Sequence, residues 1–199
     1  MPAKKRKPLG LTCTSTSCAD NLHCFRQAKK AGEEHVRGGH CIDCGADLVD
    51  FPRVHLREHG DLAYTFNSLQ FEMIRHHYWH VDFDQKALNY AIRKGRIALL
   101  AAAEKRVRQA IGPAQPAFDG RQTSMSGNPL HYAQHATATC CRKCVEYWHG
   151  IPQGNELSEE QIAYCAGLVQ RFIAERLPDL ADHGAKVPPI RRTSEEDAA

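Results

Sequence analysis

No apolar run in this chain approaches the roughly 20 residues that a helix needs to cross a bilayer; the longest stretches only from Ile97 to Ala103. A membrane-spanning helix is therefore excluded. The cationic run Lys4-Lys5-Arg6-Lys7 is not followed by an apolar stretch, which is not the pattern of a secretory leader, and the expectation is a cytoplasmic protein. Neither sign of charge dominates. The formal net charge is +3, and the four cations between residues 4 and 7 exceed that excess by themselves, so the body is not broadly basic. A disulfide scaffold is also excluded: nine cysteines in 199 residues is an odd number and falls below the roughly 8–10 % typical of such chains. There are no paired carboxylates at metal-site spacing, no glycine-rich phosphate loop and no H-E-x-x-H, so no enzyme class announces itself.

What the chain does have is clustered cysteine and histidine, with 12 histidines beside the nine cysteines. In a reducing compartment that combination points to zinc before redox chemistry. The first constellation is Cys18 and Cys24 followed by Cys41-Ile42-Asp43-Cys44-Gly45. A C-x2-C turn supplies two thiolates to a tetrahedral ion, and a glycine just after the second lets the chain leave with positive φ. His23 stands as an alternative to Cys24, and Cys13 to Cys18. The second constellation is Thr139-Cys140-Cys141-Arg142-Lys143-Cys144, with His131, His135 and His149 near it. Cys141 and Cys144 fall i, i+3 at the start of an expected helix, where the dipole and flanking cations favour thiolate. The expected ligands there are Cys141, Cys144, His135 and His149. One alternative joins the two constellations: a treble-clef-like unit in which Cys41/Cys44 and Cys141/Cys144 share one zinc. His76 and His80, and His55 and His59, are i, i+4 pairs that read as packing rather than ligation.

The organisation around these clusters is α+β, mainly helical, with irregular zinc-bound cysteine-rich segments resembling a zinc knuckle or treble clef. Residues 1–12 read as a disordered basic tail, 13–60 as the zinc-binding segment, 61–182 as a helical domain carrying the CCxxC motif, and 183–199 as a second disordered tail. Leu62 to His80 has helical spacing with Asp61 placed to cap it. A second helix starts near Asp84 and passes Gly95 to end at Gly112-Pro113. Residues 113–138 read as a long polar connection, Thr139 as the cap of a short helix over Cys140 to Trp148, and Ser158-Glu159-Glu160-Gln161 as a capping box opening an apolar-faced helix up to Pro178.

Function classes follow from these residues. A local basic patch of Lys86, Arg93, Lys94, Arg96, Lys105, Arg106 and Arg108 could contact phosphates, which with one or two Zn2+ predicts a zinc-stabilised protein that binds DNA or RNA. The alternative is a metal-dependent hydrolase or nuclease built on His135, Cys141 and Cys144, with Asp119 nearby and Arg121 steadying a phosphate. A thiol-redox role for Cys140, Cys141 and Cys144 ranks third.

The stretch from Asp119 to Tyr164, containing AQHATATCCRKC and EYWHGIP, resembles a family of short bacterial proteins described only as a domain of unknown function. The resemblance spans roughly residues 70–177, and SCADNLHCFR with CIDCGADLVDFPRVH resembles the N-terminal extension of larger members. It implies a bacterial cytoplasmic protein and brings no activity. His135, Cys140, Cys141, Cys144, Trp148 and His149 match the motif, while Ser124 and Asn128 stand where proline and histidine are usual. Asp119, Arg121, Gln122 and Thr123 belong to the recurrent set, which would suit a pocket.

Overall fold

The computed structural model describes residues 10–26 and 39–190; the basic run at 4–7 and the residues beyond 190 lie outside them. Among the described residues the chain is mainly helical: α1 (Phe51–Leu56), α2 (Leu62–Ser68), α3 (Met73–His80), α4 (Gln85–Ile111), α5 (Pro129–Ala136), α6 (Arg142–His149) and α7 (Glu159–Arg176). Extended pairing there is confined to three isolated bridges, Ser17 with Leu22, His23 with Glu72 and His40 with Asp47. No helix of the described residues is long and apolar enough to cross a membrane.

α7 forms as its sequence dictates. Ser158 Oγ accepts the Gln161 N–H at 3.2 Å and Gln161 Oε1 accepts the Ser158 N–H at 3.0 Å, satisfying two donors that a helix start otherwise leaves open. Ile162, Cys165, Val169 and Phe172 are buried where α7 packs against α4 and α5. Fully burying a side chain of this kind contributes about 1.5–3 kcal/mol, so this one face supplies much of the core. α4 opens on Asp84, whose Oδ1 accepts the Ala87 N–H at 2.9 Å.

α4 is kinked at Gly95, where φ is 69° and ψ 167°. The residues after α7 cross at this kink: the Arg96 N–H reaches the Ala181 carbonyl at 2.8 Å, and the Ala185 N–H reaches the Ile92 carbonyl at 2.9 Å. A Cβ at Gly95 would stand 2.4 Å from the His183 carbonyl carbon, so the close approach requires glycine. Ala185, expected in a disordered tail, is thus bonded to α4 by its backbone N–H.

Three other expectations are corrected. The helix from Leu62 to His80 breaks at Glu72, which is extended (φ −88°, ψ 124°). The cause is non-local: the His23 N–H donates to the Phe71 carbonyl at 2.7 Å and the Met73 N–H to the His23 carbonyl at 2.9 Å, and a strand-like bridge cannot form on helical backbone. Asp61 does not cap α2, because its carboxylate is paired with Arg53 at 2.5 Å. The polar connection at 113–138 contains α5, opened by Asn128, whose side chain accepts the Leu130 N–H at 3.0 Å.

The N-terminal segment joins the helices through Phe25, fully buried and edge-on to both Phe51 and Trp148 at 5.9 Å. Trp148 lies on α6. That helix is started not by Thr139, whose N–H is bonded to the Gln134 carbonyl, but by Asp119, whose Oδ1 accepts the Arg142 N–H at 3.0 Å. The buried Arg142 guanidinium then gathers the carbonyls of Ile111, Pro113, Pro152 and Asn155, fixing the loops on either side of α6.

Candidate metal centre

The first centre is assembled from two tight turns. The bridge between Ser17 and Leu22 closes a short loop and brings Cys18 and His23, at its two ends, together. In the second turn the Gly45 N–H donates to the Cys41 carbonyl at 2.9 Å with Gly45 at φ 74°, the left-handed exit expected after a C-x2-C pair. The two turns are tied by the Ile42 N–H on the Cys24 carbonyl at 2.9 Å.

One ligating atom each from Cys18, His23, Cys41 and Cys44 falls within 4.8 Å of every other. Cys18 Sγ and Cys41 Sγ are 3.7 Å apart, and His23 Nδ1 and Cys44 Sγ 3.4 Å. A tetrahedron with Zn–S of about 2.3 Å and Zn–N of about 2.0–2.1 Å has edges of roughly 3.8 Å between sulfurs and about 3.5 Å between sulfur and nitrogen. Both separations therefore suit a four-ligand ion. His23 Nε2 donates to Asn21 Oδ1 at 3.1 Å, which leaves Nδ1 with the lone pair a metal needs. Burial would raise the Cys41 thiol, but backbone hydrogen bonds at Cys44, Cys24 and Asp43 overcome it and bring its pKa to about 6. Cys18 goes the other way, pushed up to about 12 by desolvation and by the sulfurs of Cys44 and Cys41.

Cys24, named from the sequence as a ligand, lies outside this group. Its side chain is fully buried and its thiol contacts the Cys13 carbonyl at 3.3 Å, because neighbours in an extended segment point to opposite sides and His23 takes the inward side.

The second centre is Cys140, Cys141 and Cys144, all buried, with sulfurs within 4.8 Å of one another. Cys140, left out of the ligands expected from the sequence, belongs to this group with Cys141 and Cys144. The shared treble-clef arrangement is not adopted, since Cys41/Cys44 and Cys141/Cys144 fall in different groups. The expected depression of these thiols is also reversed. The Cys140 sulfur, with burial adding to it, pushes Cys141 up to about 12, and the Cys13 thiol, then burial, pushes Cys144 up well beyond its ordinary range. Arg142 gives no relief, because its guanidinium is spent on carbonyls. The cation that does face the sulfurs is Arg75 of α3, with Nη2 3.2 Å from Cys144 Sγ and Nη1 3.8 Å from Cys140 Sγ. Nothing local in the sequence signals it. Arg75 is fully buried and balanced by Glu72, which also receives Tyr147 Oη and Trp148 Nε1 at 2.6 Å each.

His135 and His149 stand apart from the sulfurs' group. His135 is stacked on Tyr78 at 4.6 Å, with Nε2 3.3 Å from the Ser124 carbonyl. His149 is fully buried between the Thr137 carbonyl at 3.0 Å and Tyr164 Oη at 3.2 Å. Burial depresses both, to about 4 and about 3. Of the other candidates, Asp119 holds the α6 N-terminus and Gln122, while Arg121 is exposed. His76 and His80 stack at 4.0 Å as the packing pair expected.

The basic patch is thinned by its own partners. Arg106 is half-buried, bonded to Gln134 Oε1 and the Gln122 carbonyl. Arg108 is paired with Glu159 and Glu104, and Arg96 with Asp182. Arg93, Lys94 and Lys105 are exposed, Lys94 lying 5.9 Å over the Tyr90 ring.

No solved structure matches this chain. A family model matches residues 63–174, more than half of the chain and all of the helices from α3 to α6 with most of α2 and α7. The second sulfur centre, its Arg75 and Glu72, and the buried His135 and His149 thus all lie inside the matched unit, and the chain belongs to the family DUF4186, a domain of unknown function.

Proposed function

We propose that this is a zinc-stabilised binding module, with one zinc at Cys18, His23, Cys41 and Cys44 and a second at the thiols of Cys140, Cys141 and Cys144. The observation that carries this reading is the first centre's geometry: two ligand separations of 3.7 and 3.4 Å match tetrahedral edges, and the ring nitrogen opposite the metal is already occupied. Structural zinc sites are closed by four ligands, whereas catalytic ones keep an open position. Zinc also binds thiolates with release of their protons, so its affinity becomes folding energy for a segment with little core of its own. The hydrolase reading is weakened, because His135 and Asp119 are committed to hydrogen bonds within the fold and Arg121 is exposed.

The test is zinc per chain by elemental analysis on protein purified without chelator, followed by circular dichroism after chelation. Two zincs, one lost in Cys44→Ser and a different one in Cys144→Ser, support the reading. Protein that is folded and free of zinc overturns it.

Nucleic acid is the partner class proposed for the module, resting on exposed Arg93, Lys94 and Lys105 together with the basic run at residues 4–7. Binding through phosphates weakens steeply with salt, and each lost contact lowers the slope by about one. Charge reversal at Arg93 and Lys105 should lower both affinity and slope for DNA or RNA at low salt. Binding indifferent to these reversals removes the nucleic-acid assignment and leaves the zinc assignment standing.

A further inference from the structure

Among the phenylalanines, tyrosines and tryptophans of the described residues one is exposed: Phe118, 83 % open to solvent, in the loop between α4 and α5. A lone exposed apolar residue asks for no explanation. Phe118 does, because its φ of 59° is left-handed backbone that bulky residues avoid and glycine or asparagine ordinarily fill. Backbone in so sparse a region persists only where its surroundings impose it, and such positions gather at functional sites.

The loop supplies those surroundings. The Arg121 N–H donates to the Phe118 carbonyl at 2.8 Å and closes a turn. Asp119 Oδ1, besides capping α6 at the Arg142 N–H, accepts Gln122 Nε2 at 3.1 Å, and Gln122 Oε1 accepts the Gly120 N–H at 2.7 Å. The Gln122 carbonyl accepts Arg106 Nη2 at 2.7 Å, and Thr123 Oγ1 donates to the Cys140 carbonyl at 2.9 Å. The ring is thus displayed on a loop braced by α4, by the start of α6 and by the backbone of the second sulfur centre. Exposed cations accompany it. Arg121 lies in the same turn, while Lys105 and Lys143 neighbour in sequence the Arg106 and Arg142 to which the loop is bonded. Asp119 is spent on its own hydrogen bonds, and Glu104 is paired with Arg108.

We propose that Phe118 is a base-stacking platform and that the ligand of the basic surface is single-stranded nucleic acid, with an unpaired base on the ring and flanking phosphates on Arg121, Lys105 and Lys143. This rests on the nucleic-acid reading and names its ligand. Every base has a π face, so such a contact tolerates any sequence; in a duplex that face is covered by the neighbouring pair. A ring already fixed in place loses little freedom when it binds, which gives the strained backbone its use.

The test uses the full-length chain with its metal retained, and reads the anisotropy of fluorescein-labelled oligothymidine, oligouridine and a duplex of equal length at low salt. Single strands should bind more tightly than the duplex. Phe118→Ala should weaken single-strand binding by roughly ten-fold and leave the salt slope unchanged, since no cation is lost. Phe118→Trp should keep the affinity. Trp79 and Trp148 are buried, so the emission that Phe118→Trp adds reports the platform and should be quenched by single strands. Far-UV circular dichroism checks that both variants fold. Single strands bound equally by wild type and Phe118→Ala, or bound to Phe118→Trp with the added emission unmoved, overturn the platform and leave the nucleic-acid reading standing. Binding of neither form by the wild-type chain overturns both. Dimers in sedimentation that Phe118→Ala abolishes, without any loss of oligonucleotide binding, give the ring to a second copy of the chain and overturn the platform.

Discussion

Glu72 and Arg75 form an ion pair with both side chains fully buried, Arg75 Nε lying 2.8 Å from Glu72 Oε2. Desolvation works against the Arg75 charge, but Tyr147, Cys144 and Glu72 beside it hold the proton on, well above even the usual guanidinium range. Glu72 is satisfied three times over, by Arg75, Tyr147 and Trp148. Such a pair adds little against an apolar replacement of both partners, yet removing one strands the other's charge at a cost of about 3–5 kcal/mol.

Glu72→Gln is therefore expected to lower the unfolding free energy by about 3–5 kcal/mol, read by urea denaturation of the zinc-loaded protein. Adding Arg75→Met to that variant should recover part of the loss. A single variant within about 1 kcal/mol of wild type would show that the pair is not energetically buried.

His23 and Cys24 are neighbours with opposite expected effects on metal content. His23→Ala should cost one zinc per chain, because it removes a tetrahedral corner. Cys24→Ala should keep the full complement, since its thiol faces the Cys13 carbonyl. Elemental analysis separates them, and zinc lost from Cys24→Ala alone would return the ligand role to Cys24.

Gly95→Ala combines a left-handed backbone, costly by about 1–2 kcal/mol for a residue with a Cβ, with a contact of 2.4 Å to backbone at His183. Backbone cannot rotate away as a flexible side chain does. A loss above about 2 kcal/mol in chemical denaturation is expected, together with faster amide exchange at Arg96 and Ala185. Unchanged exchange at those two amides would mean that the crossing segment does not depend on the kink.

Acid should unfold the protein partly through His149. Its pKa is depressed by burial from an ordinary 6.5 to about 3. Between those values the unfolded chain binds a proton that the folded chain refuses, so this stability is complete above pH 6.5 and is lost as the pH falls toward 3. His149→Gln carries no such proton. The stability gap between wild type and His149→Gln should narrow on acidification below pH 6.5, by up to about 1.4 kcal/mol per pH unit. A gap constant from pH 7.5 to pH 5 would contradict a neutral buried His149.

Local rules read the helices well where the controlling partner was close in sequence. The capping box at Ser158 and Gln161, the Asp84 cap and the glycine after Cys44 each act within a few residues, and each appears as read. Failures came from partners far along the chain. Leu62 to His80 has the spacing of one helix, and only a bridge from His23 breaks it at Glu72. Thr139 precedes α6 as a cap should, yet Asp119 fills the position. The residues that could hold a metal divided in the same way: the turn at Cys41 and Cys44 was legible from spacing, the grouping of His23 rather than Cys24 with them needed the direction of one extended residue, and Arg75 beside the sulfurs left no trace in the sequence near them.

The two sulfur centres differ in how soon a growing chain can complete them. Every residue of the first group has been made once synthesis reaches Cys44, whereas the second group waits for Cys144. On the proposed zinc reading, loading has an order written into it: the first group can close before α1 to α7 exist, and the second only after α3 and its arginine have been made. A truncated product ending before α6 would hold the first group complete and lack Cys144 of the second.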